Sequence, residues 1–391
     1  MLTFEQALRI VLDSARELGT EQVDIAHALN RVLAEDVRSD IDIPPFDKAV
    51  MDGFACRRQD LANELIVIET IPAGRPAEKT IGPNLCARIM TGAVVPDGAD
   101  CVIMKEYVQM SGEGKIRFVG EKTADNICVR GEDAKAGDTV LRKGALLRAQ
   151  HIAVLASAGC VAPLVARTPR VGVIATGDEL VEPTAKPGAS QIRNSNSYQL
   201  AAQVEQMGAP AKNYGAAADN TEAIESFLKR ACEENDVVLF SGGVSAGEYD
   251  LVKTVLKKAG VSVLFEKVAA EPGRPMAFGI RDNAFCFALP GNPVSGFVMC
   301  ELLVKPFLYK MMGHDFKPPV SHCKLAKTIT RKSAQRDSWL PVVFTEDGRA
   351  ERIEYHGSAH INALCDADGL LCIPAGVRQI KQDSIAAVRH I

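Results

Sequence analysis

Apolar residues recur along this chain in two rhythms. One suits helices and the other suits strands. Thr3-Phe4-Glu5-Gln6 has capping-box spacing, and Leu8, Val11, Leu12, Ala15 and Leu18 follow at helical intervals, predicting a helix to about residue 18. A second short helix is predicted over residues 25–34. From residue 65 to 147 the runs LIVIETI, CARIMTG, DCVIMKEYV and KIRFVG alternate between breaks at Gly and Pro, as in an all-β insert folded as a small barrel or sandwich. A helical pattern returns over 149–158.

Beyond Pro169 strands and helices alternate. Strands are predicted at 170–175, 212–218, 237–240 and 261–268, followed by the hairpin MAFGI–RDN–AFCFAL. Helices are predicted at 195–207, capped by Asn194 or Ser195, and at 219–234, where Asp219 and Glu222 have capping-box spacing. Two more are expected at 248–259 and 294–311, the last kinked by Pro306. This is the rhythm of a doubly wound α/β unit, which binds ligands at the carboxyl ends of its strands. Lys317-Pro318-Pro319 reads as a linker, and residues 323–390 as a small β unit. The fold class expected is multidomain α/β plus β. Residues 1–42 with 137–168 form an elongated N-terminal and dimerisation domain, 43–136 a β-rich insert, 169–316 the α/β domain and 317–391 a small β-barrel-like domain.

Composition narrows the class. With 391 residues, several domains are expected. A net charge of −4 speaks against general nucleic-acid binding. No apolar run has membrane-spanning length, and MLTFEQALRI lacks the basic start and apolar core of a signal peptide. The eleven cysteines form no C-x-x-C pair, and most lie in apolar runs such as AFCFAL, as expected for reduced thiols in the cytoplasm.

Candidate chemistry gathers at four predicted strand ends: TGDE, AAADN, SGGVS and LPGNP. In DVVLFSGGVSAGEYD a buried run ends in Ser241-Gly242-Gly243-Val244-Ser245 before a helix. Glycines there let backbone N–H groups turn toward an anion, and the acids Glu248 and Asp250 at the loop exit suit phosphate chemistry with a divalent metal. Read as ordinary structure, the loop is a tight strand-to-helix turn and Asp250 a first-turn helix charge. Residues 43–55 (IPPFDKAVMDGFA) are too polar for a core strand and too apolar for a linker, which suggests a binding loop. Read as ordinary structure, Asp52 is an Asx-turn acceptor before Gly53, Thr91 a turn hydroxyl and Arg130 a solvated charge. His356 and His360 lie four apart without a helix, a poor basis for a metal pair.

Seven motifs in order, PPFDKAVMDGFA, RIMTGAVVPDGAD, VRGED, GVIATGDEL, SGGVSAGEYD, PGRPMAFG and LPGNPVS, resemble the MoeA family of molybdopterin molybdenumtransferases. The chain is also similar to the E domain of gephyrin. The resemblance implies transfer of molybdenum from molybdate to adenylylated molybdopterin with release of AMP and dependence on Mg2+. It also implies a homodimer whose active site lies between the α/β domain of one protomer and the insert of the other. The molybdopterin adenylyltransferase and recipient molybdoenzymes are candidate partners. By position, the catalytic residues implied are Asp52, Thr91, Glu179, Asp219 and Asp250, with Glu179 and Asp250 at the metal. The cofactor-binding positions are Thr176, Gly177, Asp178, Ser241, Gly242, Gly243, Ser245, Pro290, Gly291, Asn292 and Pro293. Lys267, Arg274, Ser295, Arg336 and Ser358 are the candidates for holding the molybdate dianion.

The chain departs from the family pattern at two places. Glu271 stands where relatives commonly carry lysine, and Asn362-Ala363 where many carry two serines. An acid beside an oxyanion site weakens anion binding unless it points away or binds a cation. Two rival readings follow: a non-catalytic or tungstate-preferring scaffold protein, and a different enzyme on the same α/β unit, such as the adenylyltransferase or a competence-damage-type nucleotide pyrophosphatase. The insert and the MDGFA loop disfavour the latter.

Overall fold

The computed structural model describes residues 1–243, 251–354 and 356–391. At its centre lies a six-stranded sheet in the order Ala211–Ala217, Val171–Thr176, Val237–Ser241, Ala284–Leu289, Pro275–Arg281, Ser262–Lys267. The first four strands run parallel, and Pro275–Arg281 is antiparallel to both of its neighbours. Successive side chains on a strand face opposite sides, so both faces of this sheet must be covered. Val171, Val173, Val237, Leu239, Phe285 and Phe287 face one apolar cluster, which also takes in Phe4, Phe307 and Trp339. Ile174, Val238, Phe240, Cys286 and Ala288 face the other, beneath helices Thr221–Glu234 and Leu251–Lys258. The fold is the doubly wound α/β unit that the alternating pattern predicts, joined to β-rich parts on either side.

Several local expectations change. The N-terminal capping box forms, with the Thr3 hydroxyl accepting from the Gln6 N–H, but the helix is Phe4–Ser14 and stops short of residue 18. Of the helix expected over 25–34, only the single 3-10 turn Ile25–His27 exists. Ala28, Val32 and Leu33 mimic a helical stripe, yet Asn30 turns the chain at φ 62°, and Val32 and Leu33 then bridge to Leu146 and Val165. The cap of Thr221–Glu234 is Asn220, whose side chain accepts from the Ala223 N–H, so Asp219 is free of that duty. In place of a simple kink at Pro306, a π-helical stretch, Cys300–Val304, separates helices Pro293–Met299 and Lys305–Met311. A wide turn of this kind is a known way to break a helical ladder.

The β insert is a second six-stranded sheet, ordered Cys101–Met104, Gly53–Cys56, Leu85–Ile89, Glu64–Ile71, Lys115–Phe118, Val108–Gly112. The stretch read as too polar for a core strand supplies one: Gly53–Cys56 is buried along its whole length, between Leu85–Ile89 and Cys101–Met104. Phe54 and Cys56 face one apolar cluster and Ala55 the other, and the neighbouring strands bury it. The C-terminal β unit is a third sheet, in which Ala270–Glu271 of the central unit pairs in parallel with Asp337–Ser338. That pairing places the chain around Arg336 beside the turn carrying Glu271 and Arg274. All eleven cysteines are free thiols.

Candidate active site

A concavity of about 1070 Å³ lies at the carboxyl ends of the central strands. This is where open α/β sheets bind ligands. Its walls come from the turn after each parallel strand and from the C-terminal loop at 357–361. Of the residues singled out in the sequence, it gathers Thr176, Glu179, Asp219, Ser241, Gly242 and Gly243. Pro290, Gly291, Asn292, Pro293, Ser295, Arg274, Arg336 and Ser358 complete the set. Gly177 and Asp178 sit one step behind this wall. The Asp178 carboxylate accepts the Asp219 N–H at 2.9 Å, and the Gly177 N–H donates to the Ala217 carbonyl. Lys267 is exposed and does not line the cleft. Ser245, Glu248 and Asp250 lie outside the described residues.

The glycine loop differs from a simple anion cradle. The Gly242 N–H donates to the Leu289 carbonyl at 3.2 Å and is therefore engaged by the neighbouring strand. What these glycines permit is close approach. A Cβ on Gly242 would stand 2.7 Å from the Thr176 carbonyl, and one on Gly243 would stand 2.4 Å from Val252 Cγ2. Both also have positive φ, 100° and 65°. The two strand ends can thus pack edge to edge, with the Thr176 hydroxyl beneath the loop.

Charge is unevenly placed. Glu179 and Asp219 follow the strands at one end of the sheet, while Arg274 precedes Pro275–Arg281 near the other. The Asp219 side chain is exposed at the surface, yet the cleft walls restrict its hydration. With the charges of Asp178 and Glu179 added, its carboxyl is held above the usual range. Oxygen donors carrying uncompensated charge suit Mg2+, which binds through one or two carboxylates together with substrate phosphates. No set of three or more His, Cys, Asp and Glu side chains gathers into a metal-binding group among the described residues. Arg336 pairs with Glu271 at 3.6 Å, and both line the cleft. The C-terminal loop is pinned to the same rim: Asn292 Nδ2 donates to Ser358 Oγ at 2.7 Å, and the Val294 N–H to the Ser358 carbonyl.

Asp52 and Thr91 do not line this cleft. They form a separate exposed cluster on the insert, where the Thr91 N–H and hydroxyl reach Asp52 Oδ1 at 2.9 and 2.8 Å and Lys105 Nζ lies 3.3 Å from Oδ2. The Thr91 N–H, then its hydroxyl, then Lys105 pull the Asp52 carboxyl down to about 2. A folded-state value below the ordinary 3.8 means that this stabilisation is present above the ordinary value and is lost as pH falls through about 2. Thr91→Val keeps the N–H but removes the hydroxyl, so the Asp52 titration should move part of the way back toward the ordinary carboxylate range. A carboxyl-carbon NMR titration that does not move on this substitution would contradict the arrangement.

Sequence reading missed Lys105, Asn196 and the segment 192–195. Asn196 donates through Nδ2 to Ser241 Oγ at 2.8 Å and to the Gly291 carbonyl at 2.7 Å, tying three strand-end turns together. The NSN run around it reads locally as a helix start, and only long-range contact reveals its second role.

Three family profiles match the chain: "MoeA N-terminal region (domain I and II)" over residues 2–159, "Probable molybdopterin binding domain" over 172–310, and "MoeA C-terminal region (domain IV)" over 324–385. The molybdopterin molybdenumtransferase of Haemophilus influenzae is 39% identical, over 93% of this chain and 92% of its own length. That of Bacillus subtilis is 34% identical, over 96% and 90%. The crystal structure of the molybdopterin biosynthesis moeA protein from Pyrococcus horikoshii superposes with a TM-score of 0.83 at 32% identity, covering all of both chains.

Proposed function

This chain belongs to the MoeA family of molybdopterin molybdenumtransferases, enzymes of molybdenum cofactor biosynthesis, and on that premise we propose how its cleft performs the transfer. The substrates are molybdate and adenylylated molybdopterin, AMP is released, and Mg2+ is required. The observation that carries this reading is the cleft itself. Its volume of about 1070 Å³ lies at the upper end for small-molecule sites, and it gathers the acids Glu179 and Asp219 and the arginines Arg274 and Arg336 at the carboxyl ends of the strands.

Glu179 and Asp250 would hold Mg2+, which when bound would neutralise negative charge on the substrate. Asp219, its carboxyl held above the usual range by restricted hydration and by Asp178 and Glu179, orients groups beside them. Arg274 and Arg336, with Ser295 and Ser358, provide fixed donors for a tetrahedral dianion at the other end of the cleft. Asp52 and Thr91 act from a second copy of the chain, which makes the homodimer the working unit. The four-part division at residues 1–42 with 137–168, 43–136, 169–316 and 317–391 fits that assembly.

The test is AMP release from adenylylated molybdopterin with molybdate and Mg2+. Intact, folded protein that releases no AMP under these conditions would reject the reading. The same assay reports on Glu271. Its carboxylate competes with molybdate for Arg336, and both side chains of the pair are partly exposed, so the pair is worth at most about 1 kcal/mol. Glu271→Ala should therefore lower the molybdate concentration for half-maximal rate roughly fivefold or less, with kcat little changed. A raised requirement for molybdate would show that Glu271 assists the anion instead.

A further inference from the structure

Among the described residues three cationic side chains line the cleft: Arg193, Arg274 and Arg336. Glu271 takes Arg336, whereas no ion pair reaches Arg193 or Arg274 among the described residues. Arg274 is accounted for above as a holder of the dianion, and Arg193 has no part in that reading. Its side chain makes one hydrogen bond, from Nε to the Ala185 carbonyl at 3.2 Å. The four N–H groups on its two Nη atoms are left without a protein acceptor among the described residues. Arg193 is exposed, so a ligand in the cleft can reach it.

The backbone holds this arginine next to an acid. Ile192–Arg193 pairs in parallel with Leu180–Val181, which follows Glu179 directly. The Ile192 N–H donates to the Glu179 carbonyl and the Asn194 N–H to the Val181 carbonyl, both at 2.8 Å, so Arg193 is fixed from either side. Asn194 is itself buried and anchors the segment. Glu179 follows Val171–Thr176, while Arg274 precedes Pro275–Arg281, three strand places away in the sheet. At about 4.8 Å per strand, the two arginines enter the cleft from places roughly 14 Å apart. Carboxylates at Glu179 and Asp219 repel an approaching phosphate, and a fixed cation on the adjoining strand offsets that repulsion.

We infer that Arg193 grips the phosphate at the nucleotide end of the organic substrate. The inference rests on the functional reading above and adds a binding residue to it. A guanidinium presents parallel N–H groups that match two oxygens of one phosphate, and the Nη atoms of Arg193 are free to do so. The Ala185 carbonyl, by holding Nε, orients the fork. Molybdate is left to Arg274 and Arg336, so the two anions of the reaction are received by different arginines.

Two variants test this on the full-length protein, with AMP and molybdate titrated separately by calorimetry in the presence of Mg2+. Arg193→Met keeps the length of the side chain and removes its charge. Arg193→Lys keeps the charge and removes both the fork and the contact with Ala185. The side chain is exposed and makes a single contact, so the thermal midpoint of either variant should stay at the wild-type value. AMP should bind about tenfold or more weakly to Arg193→Met, with Arg193→Lys in between, and molybdate affinity should be unchanged in both. Added salt should weaken AMP binding more steeply in wild type than in Arg193→Met, which a purely structural role would not produce. Unchanged AMP affinity in Arg193→Met would overturn the inference. So would an equal loss in the two variants, since the retained charge should recover part of it, and so would a loss of molybdate binding matching that of AMP. Wild-type protein that does not bind AMP would overturn the functional reading together with the inference, whereas variants that match an AMP-binding wild type would overturn the inference alone.

Discussion

Asp52→Ala is expected to lower molybdenum transfer by about two orders of magnitude while leaving the fold intact, the scale typical of removing one aimed electrostatic group. The side chain is partly exposed and makes its contacts only at the surface of the insert, with Thr91 and Lys105, so little stability is at stake. None of these three residues lines the cleft that holds Glu179 and Arg274. If Asp52 serves a cleft on a second copy, the defect should be repairable by mixing chains. Asp52→Ala and Glu179→Ala homodimers are each expected to be nearly inactive. After dissociation and remixing at equal amounts, half the dimers are mixed and each holds one intact site, so about a quarter of wild-type activity returns. Mixed dimers, confirmed by differential tagging, that stay inactive would show that Asp52 does not act across the interface.

Gly53→Ala should be the most damaging single-methyl substitution in the insert. Gly53 pairs with Met104 on one side and Ile89 on the other, on an interior strand of the sheet. A Cβ there would stand 1.9 Å from the Ile103 carbonyl oxygen and 2.8 Å from its carbon. These are backbone atoms of a paired strand and cannot move aside without breaking the ladder. The expected cost is about 3 kcal/mol or more, at the upper end for overpacking, read as a lower denaturation midpoint. Gly53 follows Asp52 directly, so transfer activity should fall even at temperatures where the protein remains folded. A midpoint within experimental error of wild type would show that the two strands can separate without loss.

The alternation of strand and helix was readable from residue 169 onward because a sheet covered on both faces makes its central strands short, continuously apolar runs, as in Val237–Ser241 and Ala284–Leu289. Val171, Val173 and Ile174 divide between its two faces as the alternation of side chains along a strand demands. The capping box at Thr3 was readable for a similar reason, since its partners lie three residues apart. Gly53–Cys56 was not readable. Four residues are too few to show a period, with Phe54 the one large apolar side chain among them, and the strand exists because Leu85–Ile89 and Cys101–Met104 enclose it. The helix expected over 25–34 failed for the opposite reason. Its apolar spacing was right by coincidence, and pairing with Leu146 and Val165 won over local propensity.

The candidate site divides along the same line. Its motifs, TGDE, AAADN, SGG and LPGNP, announce themselves because each is a turn chemistry confined to a few neighbouring residues. Their meeting in one cleft was expected from the rule that such sheets bind at their carboxyl edge, and Thr176, Ser241 and Pro290 do share it. What the chain order could not supply is every relation between distant turns: Asn196 tying Ser241 to Gly291, Glu271 holding Arg336, and Asp52 lying on a separate surface from Glu179. Local spacing determines which element forms and which turn ends it. Partners and unpaired atoms are settled only when strands far apart in sequence are brought edge to edge, because hydrogen bonds and ion pairs act over a few ångströms of space whatever the separation along the chain.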